Sequence, residues 1–275
     1  MSDTPNPKAM ETLGLELPIG FKRSEQLIKS FELGPVRGRL RREFFNLKKR
    51  SPGKETLCAL KHVITTLGNV TGAKPIENLL KNLPVPDVDY IYLCLNAQEG
   101  KGKITWDFKC ETEDGRGCGT EMEISIDPTE VELVKANPPI EYDEKGRAVQ
   151  TVEVFDPVTG TKIPVTYKVT TLGDQIKMFD RMQSQSDELG NFIFFQLASM
   201  MLDYDNKGRG LTVEELDDLP IRTLDALINA NEQYNPTQID SDLEVVCGNC
   251  GMKHEEVLPV DRWLAPFARK TPSGS

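Results

Sequence analysis

The sequence predicts an α+β protein made of two similar helical half-modules, each ending in a strand, a cysteine turn and a return strand. Three observations lead to this prediction: one order of motifs occurs twice, apolar and polar residues alternate beside the cysteine turns, and a turn-rich insert separates the copies. At 275 residues the chain can bury a proper core in one or two domains. No apolar run approaches the roughly 18 residues of a membrane span, so we expect no membrane partner.

The repeated order starts with an extended segment that contains a proline. An apolar run that predicts a helix, a glycine-containing break, a short helix and a Leu-Pro pair follow it. The cysteine turn begins 27 residues after Leu83 in the first copy and 28 residues after Leu219 in the second. The matching segments are 16–21 with 162–167, 59–67 with 196–202, 76–80 with 213–216, and Leu83-Pro84 with Leu219-Pro220.

The strands beside the first cysteine turn have a period of two, because apolar and polar residues alternate in 104–109 and in 121–126. Between the copies, 152–167 predicts a β-hairpin that turns at 156–160. We therefore divide the chain into a flexible tail (1–12), a first half-module (13–134), a linker and β-hairpin insert (135–170), a second half-module (171–267) and a second flexible tail (268–275).

The six cysteines are too few for a disulfide scaffold in a chain of this length. Cys58 and Cys94 lie in apolar runs, where free thiols behave as small hydrophobic residues, so we expect both in the core. The other four form two pairs, and each pair is followed by a glycine. These are Cys110 and Cys118 in the first copy, and Cys247 and Cys250 in the second.

The two pairs predict one shared metal site. A tetrahedral zinc ion takes four thiolates, usually offered in pairs by two short turns. The turn from Cys247 to Cys250 has the form of a zinc knuckle, whereas the turn from Cys110 to Cys118 is longer than usual. One structural zinc per chain would join the half-modules through a shared zinc ribbon and leave no position for a catalytic water. Chelation is then expected to loosen or unfold the chain.

A disulfide and a redox dithiol remain alternatives for these cysteines. A thioredoxin-like dithiol lies where a strand enters a helix, but the segment after Cys250 has the pattern of a strand. The N-terminal residues show no export signal that would favour a structural disulfide. His254 could support or replace a thiolate, but beside four cysteines we expect it on the surface.

Catalytic motifs find little support, so we expect neither an enzyme nor a small-molecule substrate. With two histidines there is no good Ser/His/Asp or Cys/His arrangement, and no phosphate-binding loop of the Gly-x4-Gly-Lys-Ser/Thr type occurs. The segment 203–214 nearly fits a calcium loop, but Lys207 and Gly210 occupy positions that need other residues. Thr212 and Glu215 instead predict a capping box at the start of a helix.

The net charge of −10 argues against nucleic acid as a partner, because an acidic chain repels a phosphate backbone. One basic segment, 37–50, is the exception, with seven lysines and arginines. It is either the solvated face of a helix or a docking patch for an acidic protein surface or a nucleic acid.

The order of these motifs resembles that of baseplate hub and tail-assembly proteins of T-even-type contractile-tailed bacteriophages. The resemblance covers about residues 13–267. The motifs that carry it are Glu16-Leu-Pro-Ile-Gly20, the stretch from Leu83 to Asp89, Lys109-Cys110 with Cys118-Gly119, Val246-Cys-Gly-Asn-Cys-Gly251, and the aromatic residues Trp263 and Phe267.

The resemblance implies a zinc-containing, non-enzymatic structural or assembly component of the tail baseplate. Its partners would be other phage tail proteins, and its location the virion or, during assembly, the host cytoplasm. The basic segment would then contact a neighbouring subunit. The alternative function is that of a zinc-ribbon regulator that binds nucleic acid or a polymerase.

Overall fold

The computed structural model describes residues 16–47, 51–99, 103–111, 116–184, 189–233 and 238–258. The predicted tails, Trp263, Phe267 and the end of the basic segment at 48–50 lie outside these residues. The described chain falls into two compact units. The sheet unit comprises Glu16–Val88 and Lys135–Gln238, and the ribbon unit includes Asp89–Val134 and the described chain from 239 onward.

The described residues form helices and antiparallel strands, so the fold is α+β. The helices are α1 (Gly38–Asn46), α2 (Pro52–Val63), α3 (Ala73–Leu80), α4 (Val85–Glu99), α5 (Leu172–Ser184), α6 (Leu189–Met200), α7 (Val213–Asp217) and α8 (Ile221–Gln233), with a short 3-10 turn at Pro128–Glu130. The longer strands are β1 (Glu16–Arg23), β2 (Gln26–Leu33), β3 (Ile64–Leu67), β5 (Ile104–Lys109), β6 (Glu121–Ile126), β9 (Ala148–Asp156), β10 (Thr161–Lys168), β11 (Met201–Tyr204), β13 (Asp242–Val246) and β14 (Lys253–Val257). Four short strands are β4 (Val70–Thr71), β7 (Leu133–Val134), β8 (Glu141–Tyr142) and β12 (Gln238–Ile239).

The first sheet of the sheet unit has the strand order β1-β2-β3-β4. Helix α2 leads directly into β3, so the prediction of one continuous helix over 59–67 is wrong for its last four residues. The β-branched side chains in 64–66 favour a strand, and the backbone pairs with β2, where Phe31 lies opposite Leu67. At the other end of α2, the Ser51 hydroxyl accepts a hydrogen bond from the Lys54 N–H at 3.4 Å and so caps the helix.

The second sheet has the strand order β11-β10-β9-β8. Strands β9 and β10 form the hairpin that the sequence predicts, with Asp156 opposite Thr161 across its turn. The helix predicted over 196–202 ends at Met200, because the following residues pair with β10 as β11. The capping box at α7 is confirmed: the Thr212 hydroxyl accepts from the Glu215 N–H, and the Glu215 side chain accepts from the Thr212 N–H.

Apolar residues from both sheets form the interior of the sheet unit. Ten buried residues make one cluster against the second sheet, and Phe31, Phe44 and Leu60 are almost fully buried beside the first. Cys58 in this unit and Cys94 in the ribbon unit are 3% and 1% exposed, as predicted for core thiols. The second-sheet cluster contains Val152, Val154, Val165, Tyr167, Leu197, Met201, Tyr204, Leu216, Leu227 and Ala230.

A buried carboxylate ties the start of α4 to β1. The Asp87 side chain is fully buried and accepts hydrogen bonds from the backbone N–H groups of Ile19 at 2.8 Å and Gly20 at 2.7 Å. Burial raises the pKa of this carboxyl group to about 7, although both N–H groups oppose the shift.

Among the described residues, none of the helices combines the length and the apolar character that crossing a membrane requires.

Candidate metal centre

Two antiparallel ribbons in the ribbon unit carry the four predicted cysteines. Strand β5 pairs with β6, and β13 pairs with β14. Alternate residues of β5, namely Ile104, Trp106 and Phe108, are buried, as the period of two predicts. Each ribbon therefore presents its cysteine turn at one end, where the first strand stops and the second begins.

The two turns share one hydrogen-bond frame despite their different lengths. The N–H of Cys110 donates to the carbonyl of Thr120 at 2.9 Å, and the N–H of Gly119 donates to the carbonyl of Cys110 at 3.0 Å. In the other turn, the N–H of Cys247 donates to the Met252 carbonyl and the N–H of Gly251 donates to the Cys247 carbonyl, both at 2.8 Å. The two turns therefore have matching backbone hydrogen bonds around the first cysteine and the final glycine, although they differ in length.

A glycine in the left-handed region completes each turn. Gly119 has φ of 69° and Gly251 has φ of 75°, a conformation that residues with a Cβ rarely adopt. An added Cβ would meet no atom within 4 Å at either position. The backbone angle, and not a lack of space, therefore requires glycine here.

The structure brings the four sulfur atoms together, all within 4.8 Å of one another. The Sγ atoms of Cys110 and Cys250 are 3.6 Å apart, as are those of Cys118 and Cys247. Four sulfurs around a tetrahedral ion with metal–sulfur bonds of about 2.3 Å would be about 3.8 Å apart. A disulfide needs about 2.05 Å. The arrangement is therefore compatible with a metal site, and neither of these sulfur pairs is at the bonded distance of a disulfide.

Hydrogen-bond donors favour thiolates on one side of the cluster. The Thr120 hydroxyl, followed by the Asn249 amide, lowers the pKa of the Cys118 thiol to about 5. Two backbone N–H groups of its own turn lower the pKa of the Cys247 thiol. A backbone N–H also lowers the pKa of the Cys110 thiol, but burial and the neighbouring thiols outweigh it and raise the pKa to about 12. Since the thiolate is the form that binds metal, a cation would complete an arrangement that is already partly ionised.

Apolar side chains bury one side of the cysteine site. Phe108, Cys110, Val245 and Cys247 form a small buried cluster, with Met122, Ile124 and Met252 packed around it. Cys118 and Cys250 are exposed. Two cysteines of the set are thus part of the core of the ribbons, and two close the site on the solvent side.

The prediction of a surface position for His254 is wrong. Its side chain lies on β14, is 8% exposed, and places Nε2 3.3 Å from the sulfur of Cys110. Its ring also packs edge-on against Phe108, with the centroids 4.9 Å apart. His254 lies opposite the buried Val245 in the β13–β14 pairing and, along 252–258, alternates with Met252 and Leu258, and this was the signal that could have located it. Its contact with Cys110 would orient that sulfur.

A second cluster of possible ligands, in the sheet unit, was not predicted. Cys58 and His62 lie one turn apart on α2, and Glu43 of α1 brings a carboxylate oxygen to 2.8 Å from the His62 Nε2. Contact with His62 and, to a smaller extent, with Arg39 and Lys61 lowers the pKa of Glu43 to about 2. Because two cations already contact this carboxylate, the cluster is better described as an ion-pair network between two helices.

No protein-family model, curated protein or solved structure gives a significant match to the chain.

Proposed function

We propose that the chain is a zinc-stabilised, non-enzymatic structural or assembly component of a contractile-tail baseplate, acting in the hub region by docking other tail proteins. The proposal depends on one observation: four cysteine sulfur atoms from two ribbons lie within 4.8 Å of one another. A site with four protein ligands has no open position for water or substrate, so its contribution is to folding and rigidity. The baseplate role itself rests on the sequence resemblance.

Zinc is the ion that this ligand set favours. Four thiolates in a tetrahedral arrangement suit zinc or an iron–sulfur cluster, whereas calcium and magnesium require oxygen ligands. Left-handed glycines after Cys118 and Cys250 are consistent with two turns that present their cysteines to a single ion. The ligands would be Cys110, Cys118, Cys247 and Cys250, and the bound zinc would supply cross-linking between the two ribbons.

A duplicated module with one shared zinc ribbon is the architecture that we infer. Apart from the two-residue strands, the first copy runs β1, β2, α1, α2, β3, α3, α4, β5 and β6, and the second runs β9, β10, α5, α6, β11, α7, α8, β13 and β14. This order would match β1 with β9 and β2 with β10, in place of the pairing of 16–21, which forms β1, with 162–167, which forms β10. In each copy the third strand pairs with the second through an irregular register. The same order of nine elements, with the irregularity at the same place, supports a duplication.

Helix α1 offers a basic docking face. Leu40 and Phe44 are buried, while the arginines at 39, 41 and 42 are exposed on the opposite side. In a chain with a net charge of −10 this local reversal of charge would steer an acidic surface of a neighbouring subunit. The expected partners are therefore other tail proteins, in the virion or in the host cytoplasm during assembly.

The experiment that tests the proposal is a protein inventory of finished phage particles, combined with co-purification of the tagged chain from infected cells. We expect tail proteins to co-purify with the chain. If the chain is present in finished particles, it is a permanent subunit; if it is absent from them, it is an assembly factor. Arg41→Gln/Arg42→Gln should weaken the association. The matched control, Lys162→Gln/Lys207→Gln, removes the same charge from exposed positions elsewhere.

Recovery of nucleic acid or polymerase in place of tail proteins would contradict the proposal and favour the regulator. In that case binding to DNA or RNA by the purified chain should fall steeply with added salt.

A further inference from the structure

A cleft within the sheet unit is lined by an unusual number of cations. Its volume is about 630 Å³, within the range of small-molecule sites. The walls come from the end of β1, the end of α3, the loop before β9, the end of β10 and the start of α5. Asp174 is the one acidic residue of the lining. The six basic residues are Lys22, Lys81, Lys145, Arg147, Lys168 and Lys177.

Backbone hydrogen bonds fix the walls of this cleft. The Lys22 N–H donates to the Gly146 carbonyl at 3.0 Å, and the Gly173 N–H donates to the Lys81 carbonyl at 2.9 Å. Gly146 has φ of 77°, and a Cβ there would lie 2.6 Å from the Lys22 carbonyl oxygen. The side chains at the rim therefore project from a frame that is set by the fold.

Two of the cations are already paired with carboxylates. Lys168 lies 2.9 Å from Asp174, and Arg147 lies 2.6 Å from Asp143. The α5 N-terminus is also occupied, because Thr171 and Asp174 cap each other. The charge available to a ligand must therefore come from the remaining lysines.

The remaining four cations form no ion pair with any residue that the structure describes. Lys22 lies over the ring of Tyr142 at 5.2 Å, and Lys81, Lys145 and Lys177 are exposed. Four exposed ammonium groups around one cleft repel each other, and an anion between them would relieve that repulsion. This is a binding surface that the zinc site and the proposed docking function leave unused.

The surrounding charge selects a compact anion. Glu25, Asp143 and Glu144 line an adjoining cleft, and the chain as a whole carries −10. A long polyanion would meet these carboxylates, whereas a ligand that fits inside the cleft would meet mainly the lysines. A single phosphate would occupy little of the volume of about 630 Å³, whereas a short chain of phosphates would fill more of it and present more oxygens to the lysines.

We propose that this cleft binds a compact oligophosphate, with the chemistry shared by inorganic tripolyphosphate and the triphosphate group of a nucleotide. Lys22, Lys81, Lys145 and Lys177 would contact the phosphate oxygens through charge-assisted hydrogen bonds. The proposal goes beyond the baseplate role and is independent of it, since none of these residues lies in the metal centre or on α1.

Calorimetric titration of the full-length, zinc-loaded chain with tripolyphosphate and, separately, with adenosine triphosphate tests the proposal. We expect saturable binding of both at low salt. Tighter binding of the nucleotide would identify a nucleotide as the natural source, and equal binding would identify the phosphate chain. Lys81→Gln/Lys177→Gln should raise the Kd for tripolyphosphate by at least about tenfold, the size expected for loss of a charge-assisted contact.

The control variant Lys162→Gln/Lys207→Gln changes the net charge equally without touching the cleft, and it should bind tripolyphosphate as the unchanged protein does. Equal weakening in both variants would show a general charge effect and overturn the proposal. Absence of saturable binding, or tighter binding of an acidic peptide than of tripolyphosphate, would overturn it as well. Urea unfolding of each variant verifies that the fold is intact.

Discussion

The helix after the Leu-Pro pair is held by opposite chemistry in the two copies of the proposed module. In the first copy Asp87, three residues after Pro84, accepts two N–H groups from β1. In the second copy Thr223, three residues after Pro220, donates its hydroxyl hydrogen at 2.6 Å to the Asp156 carboxylate at the end of β9.

A shared framework therefore need not preserve the donor and acceptor roles within it. In both copies a buried polar side chain of the first helical turn reaches the first hairpin. What the copies share is a hydrogen bond between this turn and the first strand of the hairpin, while the acceptor moves from the helix to the strand.

Metal removal should have the largest effect, because the two copies would share one site. Structural zinc in small domains contributes on the order of 10 kcal/mol, and the ribbons have a small buried cluster in which two of four residues are cysteines. Two-stranded ribbons are marginal alone. We expect a chelator or Cys247→Ser to unfold the ribbon unit, with loss of hydrogen-exchange protection in β5, β6, β13 and β14 and retention of protection in the sheet unit.

The control for this experiment is Cys58→Ala, which removes a buried thiol that lies outside the four-cysteine cluster and should leave one zinc per chain. A metal content well below one zinc per chain, together with unchanged stability of Cys247→Ser, would refute the zinc site.

Removing the Asp87 carboxylate should lower the free energy of unfolding more than removing the Thr223 hydroxyl. Asp87→Ala leaves two buried N–H groups without an acceptor, at about 1–3 kcal/mol each. Thr223→Val removes one donor from a carboxylate that keeps its bonds to Thr159 and Val158, so about 1 kcal/mol is expected. Urea unfolding measures both values. Equal losses would show that the two anchors are energetically equivalent despite their chemistry.

The two anchors should also respond to pH with opposite signs. The pKa of Asp87 is raised from 3.8 to about 7, so its protonated form is favoured by folding, and its stabilising contribution is complete below about pH 3.8 and lost as the pH rises through 7. Hydrogen bonds, of which the one from Thr223 has the largest effect, lower the pKa of Asp156 to about 2. The contribution of Asp156 to stability is therefore present above pH 3.8 and lost as the pH falls toward 2.

Unfolding free energies measured between pH 2 and 8 test these signs. Asp87→Asn should flatten the upper part of the profile, and Thr223→Val should reduce the acid sensitivity at its lower end. A neutral-range slope that survives Asp87→Asn would contradict the first expectation.

Local patterns in the sequence predicted the parts of the structure that depend on neighbouring residues. Alternation located β5 and β6, and the spacing of Thr212 and Glu215 located the capping box. The apolar context of Cys58 and Cys94 placed them in the core. Each of these features is decided within about ten residues of chain.

Features that depend on distant strands were not predicted. The strands at 64–67 and 201–204 follow helices without a break. These residues form strands because their backbones pair with β2 and β10. His254 is buried by Phe108, which is far away in the sequence. The cationic cleft joins residues between 22 and 177, so no local window contains it.

The glycines of the two cysteine turns should be equally sensitive to substitution. Gly119→Ala and Gly251→Ala each place a Cβ in the left-handed region, at about 1–2 kcal/mol, and neither creates a clash. Gly248→Ala is the matched control, because Gly248 lies in the same turn without a positive φ and with open space around it. Competition with a chromogenic chelator measures the loss of zinc affinity, and a larger loss in the longer turn would show that its extra residues do strain the frame.

Loss of the capping box should have the smallest effect and should be confined to one copy. Thr212→Ala removes the hydroxyl that accepts from Glu215, at about 1 kcal/mol, whereas Thr212→Ser keeps an equivalent acceptor and should be nearly neutral. The equivalent helix α3 (Ala73–Leu80) has Gly72 as its N-cap residue and therefore no side-chain cap. Its stability comes from the burial of Ile76, Leu79 and Leu80 instead. If Thr212→Ala and Thr212→Ser unfold at the same urea concentration, then packing also determines the start of α7, and the two copies are more alike here than their hydrogen bonds indicate.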